Sequence, residues 1–183
     1  MALLETPEKD SGFEAVDFNL KGTDGNKHTL QSCMGEKGIV VMFICNHCPY
    51  VKAVIHRLVD DCKQLQAKGI GCVAIMPNDT VNYPQDSFDN MKLFAKSNGF
   101  TFPYLIDETQ EVARAYGAVC TPDIYGFDAD GTMVYRGRVD SAGPNEAKPG
   151  TKRELLEAMS LVAEDSKANT EQFPSMGCSI KWR

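Results

Sequence analysis

Hydrophobic and polar positions along the chain fall into short runs that predict alternating strands and helices. Residues 39–44 form a continuous apolar run rich in β-branched side chains, which is typical of a strand buried on both faces. Residues 49–68 carry an apolar stripe at helical spacing, with Pro49 suited to the first helical turn and Gly69 to the end. This pairing of a buried strand with a long amphipathic helix indicates a layered α/β structure.

The same patterns continue on both sides of this unit. They predict a hairpin over 18–30, strands over 71–76, 104–106, 123–127 and 132–139, and helices over 84–98, 110–116 and 151–163, the last opened by a capping box at Thr151–Glu154. Strand–helix alternation followed by a late hairpin predicts a mixed central β-sheet flanked by helices, with an N-terminal β-hairpin. Because the linkers are short, we expect a single domain over residues 1–183. Its core would span about residues 13–163, and the C-terminal tail 164–183 would dock on it.

Composition narrows the classes of partner. The chain is 43% hydrophobic and 24% charged with a formal net charge of −6, and its lysines and arginines form no cluster, so no nucleic-acid partner is expected. Residues 1–10 lack the apolar stretch of a secretory signal, and the longest apolar run, 39–45, is too short to cross a bilayer. We therefore expect no membrane partner and a cytoplasmic location.

The sequence Cys45-Asn46-His47-Cys48 joins the buried strand to the first turn of the long helix. A helix N-terminus offers unpaired N–H groups and a positive dipole end, and both favour a thiolate. A second thiol three residues away can then attack a mixed disulfide and release the product. His47, when protonated, would further stabilise the thiolate. The pattern predicts catalytic cysteines at Cys45 and Cys48 and a relatively oxidising couple, because stabilising the dithiol raises the reduction potential.

The other cysteines favour this redox interpretation over a zinc site. The chain has seven cysteines, an odd number that does not indicate a disulfide framework. A structural zinc site needs two further ligands, usually a second CxxC or an HxxxH, and the sequence contains neither, so no metal is expected. Cys62 and Cys72 fall on apolar positions of a predicted helix and strand, and they are predicted core residues.

Three stretches together resemble the thioredoxin superfamily, and within it the peroxiredoxin-like branch of the alkyl hydroperoxide reductase/thiol-specific antioxidant (AhpC/TSA) grouping. They are residues 45–51, 120–123 and 177–182, and the element order agrees from about Phe18 to Ala163. The resemblance implies a thioredoxin-like fold in which Pro122 is a cis-proline facing the dithiol. It also implies that Thr121 lies in an extended segment whose backbone can pair with a substrate strand.

The same resemblance raises roles for three further residues. Cys120 either resolves an oxidised sulfur near the CxxC or simply packs. Cys178 is either a resolving thiol or part of a tail that docks, and docking is favoured because an apolar ending usually buries. Arg138 either approaches the thiolate, as a strand-borne arginine does in peroxiredoxins, or forms a solvated pair with Arg136, which alternation places on the same strand face.

The chain departs from both well-known patterns of the superfamily. Thioredoxins place a tryptophan before the first cysteine, where this chain has Ile44, and a buried acid in the preceding strand, where it has none. Peroxiredoxins carry Pro-x-x-x-Thr-x-x-Cys, and counting back from either Cys45 or Cys48 finds neither the proline nor the threonine. The loop over residues 76–84 follows a strand end, and we expect it to wall the substrate groove.

These observations predict a thiol–disulfide oxidoreductase whose only cofactor is its own redox-active Cys45–Cys48 disulfide. Its partners would be a protein or small-molecule thiol or disulfide and an electron donor that the sequence does not identify. Two alternatives stay open. One is a thiol peroxidase in which Cys48, Cys120 or Cys178 resolves a sulfenic acid. The other is a non-enzymatic thioredoxin-fold module that binds a metal or partner through Cys45, Cys48 and Cys120.

Overall fold

The computed structural model describes residues 2–168 and 171–183 of the chain. Residues 1, 169 and 170, which fall within the predicted domain and its tail, lie outside the described residues. The strands are β1 (Leu3–Glu5), β2 (Asn19–Gly22), β3 (Lys27–Thr29), β4 (Gly38–Phe43), β5 (Ile70–Met76), β6 (Tyr104–Ile106), β7 (Cys120–Thr121), β8 (Asp123–Asp128), β9 (Met133–Arg136) and β10 (Met176–Ser179). The helices are α1 (Leu30–Cys33), α2 (Pro49–Ala67), α3 (Phe88–Ser97), α4 (Glu111–Tyr116) and α5 (Glu154–Ala163).

The central feature is a seven-stranded mixed sheet in the order β3-β2-β6-β5-β4-β8-β9. Strand β4 pairs in parallel with β5 and antiparallel with β8, so the strand that leads to the CxxC lies inside the sheet. Every residue of β4 is buried. The predicted mixed sheet, and the hairpin formed by β2 and β3, are confirmed.

Helices cover both faces of this sheet, as predicted. Alternate side chains of β4 point to opposite faces because successive residues of a strand do so. Val40, Met42 and Ile44 pack in a core shared with residues of α2, α3 and α5. Ile39, Val41 and Phe43 pack in a second core with residues of α1 and α4. A strand with apolar residues at every position is therefore explained by burial on both sides.

A second, three-stranded sheet lies beside the CxxC, in the order β1-β10-β7. Strand β7 runs through Pro122 into β8 of the large sheet, so Thr121 and Pro122 lie where the two sheets meet. Strand β10 pairs antiparallel with β7 on one side and with β1 on the other. The sequence patterns predicted neither β1 nor β10, since each is only three or four residues long.

Two predicted helix starts are wrong. The helix predicted over 84–98 begins at Phe88, because Ser87 caps it and a single 3₁₀ turn occupies Pro84–Asp86. The capping box at Thr151 does not form: the Thr151 hydroxyl donates to the carbonyl of Lys148 at 2.7 Å, and α5 begins at Glu154. Among the described residues no helix has the length and apolar character needed to cross a membrane.

Candidate active site

The CxxC lies where β4 of the sheet gives way to α2. Strand β4 ends at Phe43 and α2 begins at Pro49, so residues 44–48 form the connection. Cys48 is the N-cap residue of α2, with Pro49 in the first turn. Its sulfur therefore lies at the end of the helix where free N–H groups and the positive dipole end favour negative charge.

Thr121 of β7 contacts both cysteines of the motif. Cys45 Sγ lies 3.4 Å from the Thr121 hydroxyl oxygen, and Cys48 Sγ lies 3.3 Å from the Thr121 carbonyl oxygen. The Thr121–Pro122 peptide bond is cis. The structure thus brings Cys45, Cys48, Thr121 and Pro122, all named from the sequence, into one cluster.

Cys178 joins this cluster from strand β10. Its Sγ lies 2.8 Å from Cys48 Sγ, and the two residues are 2% and 0% exposed. Cys178 lies opposite Thr121 in the β10–β7 register. Three sulfur atoms, from Cys45, Cys48 and Cys178, therefore meet around one threonine.

The environment shifts the pKa values of the two motif cysteines in opposite directions. Hydrogen bonding with Cys45 lowers the pKa of Cys48 well below its ordinary value, and hydrogen bonding with Cys178 adds to this effect. Hydrogen bonding with Cys48, together with burial and the charge of Asp86, raises the pKa of Cys45. Of the two motif cysteines, Cys48 is therefore the one whose thiolate the fold favours.

A buried carboxylate, Asp86, organises the other side of the motif. It is fully buried, and its oxygens accept the Asn46 amide N–H at 2.8 Å and the Asn78 side-chain amide at 2.9 Å. His47 Nδ1 lies 2.7 Å from Asp86 Oδ2 and pairs with it when protonated. The His47 ring also stacks on Tyr83. Asp86 therefore holds both residues between the two cysteines.

Further hydrogen bonds fix this shell. The Tyr104 hydroxyl donates to the Asn46 side-chain oxygen at 2.8 Å, and the Lys181 amide donates to the Asn78 side-chain oxygen at 2.9 Å. The sequence analysis missed Asp86, Asn78 and Tyr104 as residues of the site. One available signal was the loop over residues 76–84, which contains Asn78 and ends two residues before Asp86.

The same shell contains a set of donors suited to a metal ion. A sulfur of Cys45, a ring nitrogen of His47 and a carboxylate oxygen of Asp86 lie within 4.8 Å of one another. Thiolate, imidazole and carboxylate are all zinc ligands. This set differs from the one proposed from the sequence, which combined Cys45 and Cys48 with Cys120.

Cys120 and Arg138 have other contacts. Cys120 is buried, its Sγ lies 3.6 Å from the Pro122 carbonyl oxygen, and burial raises the pKa of its thiol. The expectation that Arg138 reaches the thiolate or forms a solvated pair is wrong. Its guanidinium donates to Glu154 Oε1 at 2.9 Å and lies over the ring of Phe173. Its predicted partner on the surface, Arg136, is buried and pairs with Asp123 at 2.9 Å.

A groove of about 230 Å³ runs beside Pro122. Tyr50 of the first turn of α2, Pro122, Phe173 and Met176 contribute to its walls, and Arg138 borders it. Most of the exposed lining is apolar, so this surface next to the dithiol suits an apolar side chain of a substrate.

Relatives of this chain carry names from thiol redox chemistry. A Mycobacterium tuberculosis protein named as a peroxiredoxin is 26% identical over 141 residues, which cover 77% of this chain and 85% of that protein. The thiol-disulfide oxidoreductase ResA of Bacillus subtilis is 26% identical over 123 residues, which cover 67% of this chain and 64% of ResA. These names support the conclusion that the chain is a redox enzyme, without specifying which thiol reaction it catalyses.

Solved structures match the whole chain. A conserved protein of Geobacillus kaustophilus is 45% identical with a TM-score of 0.94, over 100% of this chain and 97% of its own. A hypothetical protein of Sinorhizobium meliloti is 35% identical with a TM-score of 0.91, over 98% of each chain. The thioredoxin fold is shared with thiol:disulfide interchange proteins such as DsbE of Chlorobium tepidum. That protein is 22% identical with a TM-score of 0.62, over 85% of this chain and 99% of its own. Residues 12–136 match the AhpC/TSA family, and with the thioredoxin fold and the dithiol site described above, the chain belongs to that family.

Proposed function

We propose that this protein is a thiol–disulfide oxidoreductase that cycles Cys45 and Cys48 between dithiol and disulfide. The observation that carries the proposal is the position of Cys48 at the N-cap of α2, with Thr121 in contact with the sulfur atoms of both Cys48 and Cys45. A stabilised thiolate beside a second thiol is the arrangement that thiol–disulfide exchange requires.

In this mechanism Cys45 meets the substrate and Cys48 resolves. Cys48 is enclosed by Thr121 and Cys178, whereas Cys45 lies next to His47, the only residue of the motif that is not fully buried. Cys45 first passes its proton to the Cys48 thiolate and then attacks one sulfur of a substrate disulfide as the thiolate. The departing substrate thiolate takes that proton back from Cys48. The Cys48 thiolate then attacks Cys45 Sγ, which forms the Cys45–Cys48 disulfide and releases the second substrate thiolate.

The substrate class is a thiol or disulfide carried by a protein or a small molecule. The apolar groove beside Pro122 supports a protein substrate, since it can take an apolar side chain beside the residue that follows Thr121. A reduced thiol or dithiol donor returns the disulfide to the dithiol by the same steps in reverse order.

Peroxide reduction is the second candidate, and the hydroxyl of Thr121 at 3.4 Å from Cys45 Sγ favours it. That hydroxyl can hold an oxygen of a hydroperoxide beside the sulfur. Cys45 would become a sulfenic acid, and Cys48 would condense with it to form the disulfide and water. Rapid consumption of hydrogen peroxide together with a trapped sulfenic acid on Cys45 would establish this activity.

Mapping of disulfides by mass spectrometry tests the first proposal. The protein is oxidised with a small excess of oxidised glutathione, quenched in acid, alkylated and digested. We expect the first intramolecular bond to join Cys45 and Cys48. A first bond between Cys45 and Cys120, or between Cys48 and Cys178, would contradict the proposal. So would stoichiometric zinc or copper retained by Cys45 after purification without a chelator, since this would indicate a binding module.

A further inference from the structure

The edge of β7 beside the dithiol is covered by a strand of the chain itself. Strand β10 pairs antiparallel with β7, and Cys178 lies opposite Thr121. An open strand edge beside a reactive sulfur is where an incoming peptide adds by main-chain hydrogen bonds. Since β10 occupies that edge, it lies in the position that a substrate strand would take.

The side chain that β10 presents there is a cysteine. Cys178 Sγ lies 2.8 Å from Cys48 Sγ, and Thr121 contacts both Cys48 and Cys45. Cys48 therefore has two neighbouring thiols, Cys45 within its own motif and Cys178 on β10. Cys120, the remaining cysteine of this region, is directed to the Pro122 carbonyl instead.

Contacts on both sides of Cys178 hold it against Cys48. The Ser179 amide donates to the Ala2 carbonyl at 2.9 Å, and the Ser175 hydroxyl donates to the Pro122 carbonyl at 2.7 Å. At Gly177 an added Cβ would lie 2.1 Å from the Thr121 carbonyl oxygen, so only glycine allows this approach of the two strands. The position of Cys178 is therefore built into the fold on both sides.

We propose that Cys178 is a third redox cysteine, which attacks Cys48 of the oxidised Cys45–Cys48 pair from within its own strand. This inference rests on the proposed function, because it begins from the disulfide which that function forms. The Cys178–Cys48 bond forms as the Cys45–Cys48 bond breaks, and Cys45 leaves as the thiol. No electrons enter or leave the protein, so the step is an exchange that needs no external oxidant.

The proton balance follows from the groups around the three sulfurs. Burial, and then the hydrogen bond with Cys48, raises the pKa of Cys178, so this residue is a thiol before it attacks. The pKa of Cys45 is raised as well, which makes the departing Cys45 sulfur the acceptor of that proton. The charge of Lys181 favours the Cys178 thiolate that exists during the transfer.

The exchange changes what the next substrate meets. With Cys48 bonded to Cys178, strand β10 is tied covalently to α2, and Cys45 remains as a single thiol beside His47 and Thr121. The disulfide of the protein then joins Cys48 and Cys178, and it no longer includes Cys45. A substrate disulfide can exchange with the Cys45 thiol while the last strand stays bonded to Cys48.

Disulfide maps of three proteins test the proposal. Three proteins are compared: wild type, Cys178→Ser and Cys120→Ser. Each is oxidised with diamide to one disulfide per chain, and the oxidant is removed. Samples taken over time are quenched in acid and alkylated, and their disulfides are mapped by mass spectrometry. We expect wild type and Cys120→Ser to hold both Cys45–Cys48 and Cys48–Cys178 bonds at a constant total. Cys178→Ser should hold Cys45–Cys48 alone. A fourth protein, Cys45→Ser, should form Cys48–Cys178 under the same oxidation.

The outcomes separate this inference from the function on which it rests. If wild type holds only Cys45–Cys48 and Cys178 stays a thiol in Cys45→Ser, the relay is wrong while the proposed function stands. If Cys178→Ser forms no Cys45–Cys48 bond, the proposed function fails. A Cys48–Cys178 bond in wild type supports the relay. A wild type that holds only Cys45–Cys48 contradicts it whatever bond Cys45→Ser forms, because that variant has no Cys45–Cys48 bond to exchange.

Discussion

At the scale of the residue, the central feature is the sulfur of Cys48, whose surroundings at the start of α2 favour a negative charge. Cys48 is the N-cap residue of α2, and hydrogen bonding with Cys45 and Cys178 lowers its pKa. Burial alone would raise its pKa, as it does for Cys120. The direction of the shift at Cys48 therefore comes from its contacts with the two neighbouring thiols, one in the CxxC and one on β10.

This shift predicts a pH dependence of stability in the reduced protein. The folded pKa of Cys48 lies below its ordinary value of 9.0, so folding favours the thiolate. The resulting stabilisation is fully present above pH 9.0 and is lost as the pH falls through the lowered folded pKa. Across that window the free energy of unfolding of wild type should rise with pH by up to about 1.4 kcal/mol per pH unit more than that of Cys48→Ser.

Urea unfolding at a series of pH values, in the presence of a non-thiol reductant, measures this difference. Cys33→Ser is the control, because burial raises the pKa of Cys33 and its thiolate contributes nothing in the window. The control should keep the wild-type slope. Equal slopes for wild type and Cys48→Ser would show that the Cys48 thiolate is not stabilised by folding.

At the scale of the element, the position of Cys178 depends on how closely β10 lies against β7. Gly177 has no side chain, and the Thr121 carbonyl oxygen fills the space where a Cβ would be. The neighbouring Cys178 and Ser179 pair with Thr121 and Cys120. A tight strand contact therefore places the third sulfur, and a change at Gly177 alters that placement without touching a cysteine.

Gly177→Ala is expected to push β10 away from β7. Overpacking of this kind costs about 1–3 kcal/mol. Hydrogen exchange of residues 176–179 and 3–5 should accelerate, because β1 pairs only with β10 in the three-stranded sheet, and alkylation of Cys178 in the reduced protein should become faster. Gly12→Ala is the control, since its added Cβ meets only the Asp10 carboxylate at an ordinary 3.4 Å. Unchanged exchange in Gly177→Ala would mean that β10 tolerates a wider spacing from β7.

The elements also show which parts of the structure the sequence could predict. Strand β4 and helix α2 were predicted because each carries a long, regular apolar pattern, and the CxxC between them followed directly. Strands β1 and β10 have exposed or mixed side chains and too few residues for a period. Asp86 was missed because its role depends on contacts with Asn46, 40 residues before it, and with Asn78, eight residues before it, and no local pattern encodes these contacts.

At the scale of the molecule, buried ion pairs fasten the segment around Pro122 to the large sheet. Asp123 follows Pro122 at the start of β8, and Arg136 at the end of β9 donates to it at 2.9 Å and lies over the ring of Tyr125. Asp123 also accepts the Val119 amide at 3.1 Å. The pair therefore links both sides of the turn that presents Thr121 to the thiols.

Removing one partner of this pair should destabilise the whole fold. Arg136→Ala leaves the fully buried Asp123 carboxylate without its cation, which is expected to cost about 3–5 kcal/mol of unfolding free energy. Lys92→Ala, which breaks an exposed pair with Asp89 at 3.8 Å, should change the unfolding free energy by less than about 1 kcal/mol. Urea unfolding of both variants at neutral pH gives the comparison. Similar small changes in the two would show that Asp123 keeps other partners when Arg136 is lost.

The central claim is that Cys45 and Cys48 together exchange disulfides with a substrate, and turnover of insulin disulfides tests it most directly. Wild type, Cys45→Ser, Cys48→Ser and Cys120→Ser are assayed for insulin reduction with dithiothreitol as the electron donor. We expect wild type and Cys120→Ser to catalyse the reaction, and Cys45→Ser and Cys48→Ser to show only the uncatalysed rate of insulin reduction. Activity that survives in Cys45→Ser but is lost in Cys120→Ser would contradict the central claim.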